Sequence, residues 1–181
     1  MLTTRVTYKF APIAMLLLMA FGYSESEFSG YHKKVNKELA VLWPEKDALM
    51  NQYLLNDVQI LEAQSIGVEE LFTLTNNNDT LGYFAFVVVP SKLDVFDIGV
   101  FYNAKGEILS MKVLAYREDH GGEVGSKRWL KQFIGLNNDA PMKLNDDIQG
   151  ISGATISCEA ATKGARDATA FIHELIQKQV K

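Results

Sequence analysis

The sequence predicts an α+β domain, a twisted antiparallel sheet packed by helices. Five segments between residues 58 and 116 are dense in β-branched and aromatic residues. The gaps between them hold turns that favour antiparallel neighbours over parallel crossovers. Segments with helical spacing lie on both sides of this block. With 181 residues, 48% of them hydrophobic, the chain is long enough to bury one core. A charged fraction of 22% with 10% aromatic residues is ordinary globular composition and argues against disorder. A net charge of −4 argues against a dedicated nucleic-acid binder, so no nucleic-acid partner is expected.

At the N-terminus, Arg5 and Lys9 precede an apolar run over residues 10–23, which Ser24 and Glu25 end abruptly. Basic, apolar and acidic stretches in that order, with Ala20 and Gly22 near the end, read as a secretory signal peptide. The run is shorter than the roughly 20 residues of a membrane span. An uncleaved N-terminal membrane anchor is the alternative for residues 1–23. Either reading makes the protein extracytoplasmic, periplasmic or membrane-associated. No cysteine lies nearby to serve as a lipoprotein site.

Residues 24–79 are expected to hold N-terminal helices and first strands of the same domain, and residues 80–178 its core. Residues 26–55 read as two helices broken at Pro44, with Val35, Leu39, Leu42, Leu49 and Tyr53 at helical spacing. Residues 58–63, 70–75, 81–89, 95–103 and 107–116 read as strands. Asn- and Gly-bearing turns at residues 76–79 and 103–106 separate neighbouring pairs. Residues 117–126 form a polar, glycine-bearing loop. A short helix over 126–133 follows, with Trp129 and Phe133 four apart, and then a loop over 137–147. The last helix runs from about Thr155 to Gln179, its stripe of Ala161, Ala165 and Ala168 allowing close approach to a sheet.

The informative string is Gly150-Ile151-Ser152-Gly153-Ala154-Thr155-Ile156-Ser157, which opens that last helix. Gly153 and Ala154 leave room for an anion near the backbone. The free N–H groups of a first helical turn, with the helix dipole, favour a phosphate there. Ser152, Thr155 and Ser157 add hydroxyls. The plainer reading is that serine and threonine only cap the helix. No capping box supports it, because the third residue after Thr155 is Cys158.

The hexad SGATIS resembles the attachment motif of the FMN-binding domain family, S/T-G-A-T-x-S/T. That family includes the flavin-carrying subunits of the Rnf complex and of the sodium-translocating NADH:quinone reductase. The resemblance continues upstream through GYFAFVVV, FDIGVFYNAKGEILSMKVL, a glycine-containing loop and LKQFIG, covering about residues 80–175. It implies FMN joined through its phosphate to Ser157 by a flavin transferase that uses FAD as donor. Thr155 would then hydrogen-bond the phosphate or ribityl chain, and Gly153, Ala154 and Ser152 would surround it. Glu118 and Gly122 sit where the family has a flavin-contacting loop. The sequence departs from the pattern at Ser157, where threonine is more usual, at Gln149, where many members carry aspartate, and in a loop that lacks proline.

The resemblance, together with the N-terminal segment, therefore implies an exported FMN-binding electron-transfer protein working with membrane or extracytoplasmic redox partners. The alternatives are a flavin-dependent reductase subunit acting on an extracytoplasmic acceptor and a non-covalent FMN-binding module. No metal site is expected, since the three histidines and one cysteine lack ligand spacing. His120 reads as an exposed loop residue rather than a proton donor. Trp129, Phe133, Tyr83, Phe84 and Phe86 read as packing, and Cys158 as a buried helix residue.

Overall fold

A computed structural model of the chain describes residues 27–77 and 79–179. The signal or anchor segment, residues 1–23, and Asn78 of the first turn lie outside the described residues. After a 3₁₀ turn at Glu27–Tyr31, helix α1 spans His32–Leu42. Strand β1 (Leu49–Gln52), helix α2 (Asp57–Ser65) and strands β2 (Val68–Asn76), β3 (Asp79–Pro90), β4 (Val95–Asn103) and β5 (Ile108–Ala115) follow. A 3₁₀ turn at Gly122–Gly125 and the short helix α3 (Lys127–Leu130) lead through a long loop to helix α4 (Thr155–Gln179).

The five strands form one open antiparallel sheet in the order β1-β2-β3-β4-β5. The fold is α+β, as the sequence predicts. Helices cover both faces of the sheet. Along β3, Tyr83, Ala85, Val87 and Val89 pack on the α4 side, whereas Phe84 and Phe86 pack on the α1 side with Phe28, Val35 and Leu39. A strand apolar on both faces reads as a continuous hydrophobic run, which explains LGYFAFVVV in the middle of the sheet.

Helix α4 lies across β3 on small residues. Ala161, Ala165 and Ala168 are fully buried, and a Cβ added at Gly164 would meet a Val89 methyl at 2.4 Å. The buried Tyr102 hydroxyl contacts Thr169 Oγ1 at 3.2 Å, tying α4 to β4, and burial raises the phenol's pKa. Close packing along the length of α4 fixes where its N-terminus points.

Two expected elements differ. Residues 44–55, read as a second helix, contain a turn and then β1, whose Leu49, Met50, Asn51 and Gln52 pair with β2. Helix-forming residues are overridden there by tertiary pairing. Residues 58–63, read as a strand, belong to α2. Asn56 accepts from the Gln59 amide while the Gln59 side chain accepts from the Asn56 amide, a capping box that starts the helix despite Val58 and Ile60.

Candidate functional site

Helix α4 begins without a side-chain cap. Its first helical hydrogen bond runs from the Cys158 amide to the Ala154 carbonyl at 2.9 Å. Among the described residues, the amides of Thr155, Ile156 and Ser157 have no acceptor. Ala154 cannot supply one, since its side chain holds no polar atom. The three residues that carry them line a groove of about 550 Å³ formed by residues 91–94, 117–121 and 153–157. Its size falls within the usual range for small-molecule sites. A neighbouring hollow is formed by residues 119–123 with Ser152 and Gly153.

The loop before α4 is anchored from behind. Trp129 Nε1 donates to the Gln149 carbonyl at 2.7 Å, and the Gln149 amide donates to Gln132 Oε1 at 2.8 Å. Trp129 itself is buried edge-on against Phe133, so it packs in the core and holds the loop. Gly153 has φ +84°, and a Cβ placed there would meet nothing within 4 Å, leaving the backbone open to a ligand.

Ser157 is the enclosed member of the motif, 4% exposed. Its Oγ lies 2.8 Å from the Tyr116 hydroxyl and 3.3 Å from Ser91 Oγ. Tyr116, at the exit of β5, packs its ring at a tilt against Phe96 and donates to the His120 carbonyl at 2.6 Å. Gly121 (φ +89°) closes over the pair, since a Cβ there would lie 2.6 Å from the phenol oxygen and 2.9 Å from Ser157 Oγ.

Glu118 lines the groove with its carboxylate engaged, accepting from the Leu93 amide at 2.7 Å and the Asp94 amide at 3.1 Å. Those backbone bonds hold its pKa below the ordinary glutamate value. Glu118 thereby ties the turn between β3 and β4 to the loop after β5. Beside it, Arg117 grips the fully buried Asp97 with two bonds of 2.8 and 2.7 Å, and Tyr31 donates to the same carboxylate at 2.7 Å. The ion pair fixes the start of the 117–121 loop. Burial raises the Cys158 pKa, which keeps the thiol protonated and inert.

Of the residues singled out from sequence, Gly153, Ala154, Thr155, Ser157 and Glu118 line one groove, and Ser152 and Gly122 line the adjoining hollow. His120 is exposed and lines both. Among the described residues no cluster of His, Cys, Asp or Glu could hold a metal ion. Sequence reasoning missed Tyr116, Ser91, Arg117 and Gly121. Their roles come from contacts between distant segments.

Residues 95–170 match the family model for the FMN-binding domain. The chain carries an FMN-binding domain. That match supports FMN as the cofactor and the reading of the protein as a flavoprotein. No curated protein matches the chain. The matched span runs from the start of β4 into α4 and contains Asp97, the 117–121 loop and the whole hexad.

The residues present fit that cofactor. A phosphate needs several donors and close backbone approach, and the α4 N-terminus offers three free amides beside Gly153. Thr155 is exposed in the groove, so its hydroxyl is free to add a further bond.

Proposed function

We propose that the protein is an exported electron carrier that seats the FMN phosphate on the first turn of α4 and is esterified to it at Ser157. The carrying observation is the convergence of three unpartnered amides and the Ser157 hydroxyl on one groove inside an FMN-binding domain. Bound FMN supplies reversible one- and two-electron chemistry. The chain's own residues bind and orient: the Thr155, Ile156 and Ser157 amides neutralise the phosphate, and Glu118 holds the 91–94 turn as one groove wall. Export is supported by the basic, apolar and acidic order of residues 1–25.

A flavin transferase using FAD is part of this reading, because Ser157 has no strong base of its own. Its hydroxyl contacts are a tyrosine and another serine. The direct experiment is co-expression with such a transferase in an exporting host. A fluorescent band should survive denaturing electrophoresis, and Ser157→Ala should remove it while leaving the circular dichroism unchanged. A band that persists in Ser157→Ala moves the attachment elsewhere.

The second reading, non-covalent FMN, is favoured by the enclosure of Ser157 beneath Gly121. On that reading the mass of the co-expressed protein stays that of the bare chain, and flavin leaves on denaturation. Electron carriage requires redox partners, membrane-bound or extracytoplasmic. Among the described residues no helix is long and apolar enough to cross a membrane.

A further inference from the structure

We infer that Tyr116 is the positioning residue for attachment at Ser157, and that its hydrogen bond to His120 is a latch that attachment releases. The inference rests on the phosphoester reading above. A tyrosine hydroxyl carries one hydrogen, and a carbonyl oxygen can only accept. The 2.6 Å bond to the His120 carbonyl therefore consumes the Tyr116 hydrogen. The 2.8 Å contact between the two hydroxyls must then be donated by Ser157. The seryl hydrogen is thus aimed at the phenol, which turns the Oγ lone pairs away from Tyr116. The Ser91 hydroxyl lies 3.3 Å from Ser157 Oγ and also reaches the Glu118 carboxylate. Tyr116 sets the direction from which phosphorus can be attacked, without touching the phosphate donor itself.

The attachment step balances as follows. Ser157 Oγ forms a bond to the FMN-side phosphorus of FAD, the pyrophosphate link to AMP breaks, AMP leaves, and the seryl proton passes to solvent. The ester oxygen that remains has no hydrogen to donate. If Tyr116 kept its bond to His120, two acceptors would face each other at contact distance. The anionic phosphate is a stronger acceptor than a peptide carbonyl, so the phenol turns its hydrogen to the phosphate. The His120 carbonyl, on an exposed residue, is then left to water. Gly121, packed over both hydroxyls, loses its support and lifts. Loading is thereby written into the 119–122 loop, which borders both the groove and the adjoining hollow.

The test uses the full protein with purified transferase and FAD, and follows intact mass, hydrogen exchange and the phosphoester's phosphorus-31 resonance. In Tyr116→Phe the ring keeps its place against Phe96. Its initial rate of mass gain should fall about tenfold, the effect of losing one orienting hydrogen bond. Once loaded, its phosphorus resonance should differ from that of the wild type, a change that a purely structural role of the ring would not produce. Wild-type protein needs no substitution for the second readout: amides over residues 119–124 should exchange faster after loading. Wild-type rates and an unmoved phosphorus resonance in Tyr116→Phe, or unchanged exchange on loading the wild type, would overturn the inference. Wild-type protein that gains no mass refutes the phosphoester reading instead.

Discussion

Replacing Gly121 with alanine probes the enclosure of Ser157 with a single methyl group. Two costs add. The backbone sits at φ +89° and ψ 4°, where an L side chain is strained by about 1–2 kcal/mol. The methyl group would also lie 2.6 Å from the Tyr116 oxygen and 2.9 Å from Ser157 Oγ, closer than any real Cβ contact. Overpacking of that kind costs about 1–3 kcal/mol. Gly121→Ala should therefore destabilise the fold by about 2–5 kcal/mol in all. Gly153→Ala is the matched control, because Gly153 has φ +84° but open space around it. It should show the strain alone, about 1–2 kcal/mol. Urea unfolding monitored by tryptophan fluorescence measures both. Adding Tyr116→Phe to Gly121→Ala should recover part of the excess, since the closer clashing oxygen is gone. Equal losses in Gly121→Ala and Gly153→Ala, with no recovery in the double variant, would refute the packing of Gly121 on the Tyr116–Ser157 pair.

Glu118 links groove stability to acid. Its folded pKa lies below the ordinary glutamate value of about 4.3. Its hold on the Leu93 and Asp94 amides is therefore complete above that value and is lost as pH falls through the lowered pKa. The two amide resonances should titrate with a midpoint below the ordinary value, and Glu118→Gln should abolish the transition. Trp129→Phe keeps the ring packing but deletes the bond to the Gln149 carbonyl. It should cost about 1 kcal/mol in urea unfolding and weaken FMN binding by loosening the loop before α4. Arg117→Gln leaves the buried Asp97 carboxylate with its Tyr31 partner but without its cation. Unfolding should be easier by about 3 kcal/mol, and added salt should restore little of it, because the lost pair is anchored on a buried group.

Strands β2 to β5 are legible in the sequence because their side chains are buried in a period of two, or on both faces, between clear turns. Helix α4 is legible from its alanine stripe. The misread elements have local causes. Strand β1 is four residues of helix-forming composition that become a strand only by pairing with β2. Helix α2 hides behind Val58 and Ile60, although the Asn56-to-Gln59 spacing announces its start. The hexad marks the start of α4 as the candidate site, since a motif is a local object. Of the wall opposite, only the loop bearing Glu118 was legible, through the family resemblance. Tyr116 reaches Ser157 across 41 positions and Ser91 across 66, and no spacing rule predicts such contacts. Trp129 reads correctly as a packing residue, yet its bond to Gln149 depends on where the intervening loop returns.

The most direct measurement is made on protein isolated from its own host. Trypsin should release the peptide that ends at Lys163 and carries Ser152, Thr155, Ser157 and Thr162. Fragmentation mass spectrometry then reads which hydroxyl is modified. The expected result is a yellow peptide heavier by one FMN less one water, with the increment on Ser157. A colourless peptide of bare mass, from protein that also fails to take up FMN, would contradict the assignment of this groove.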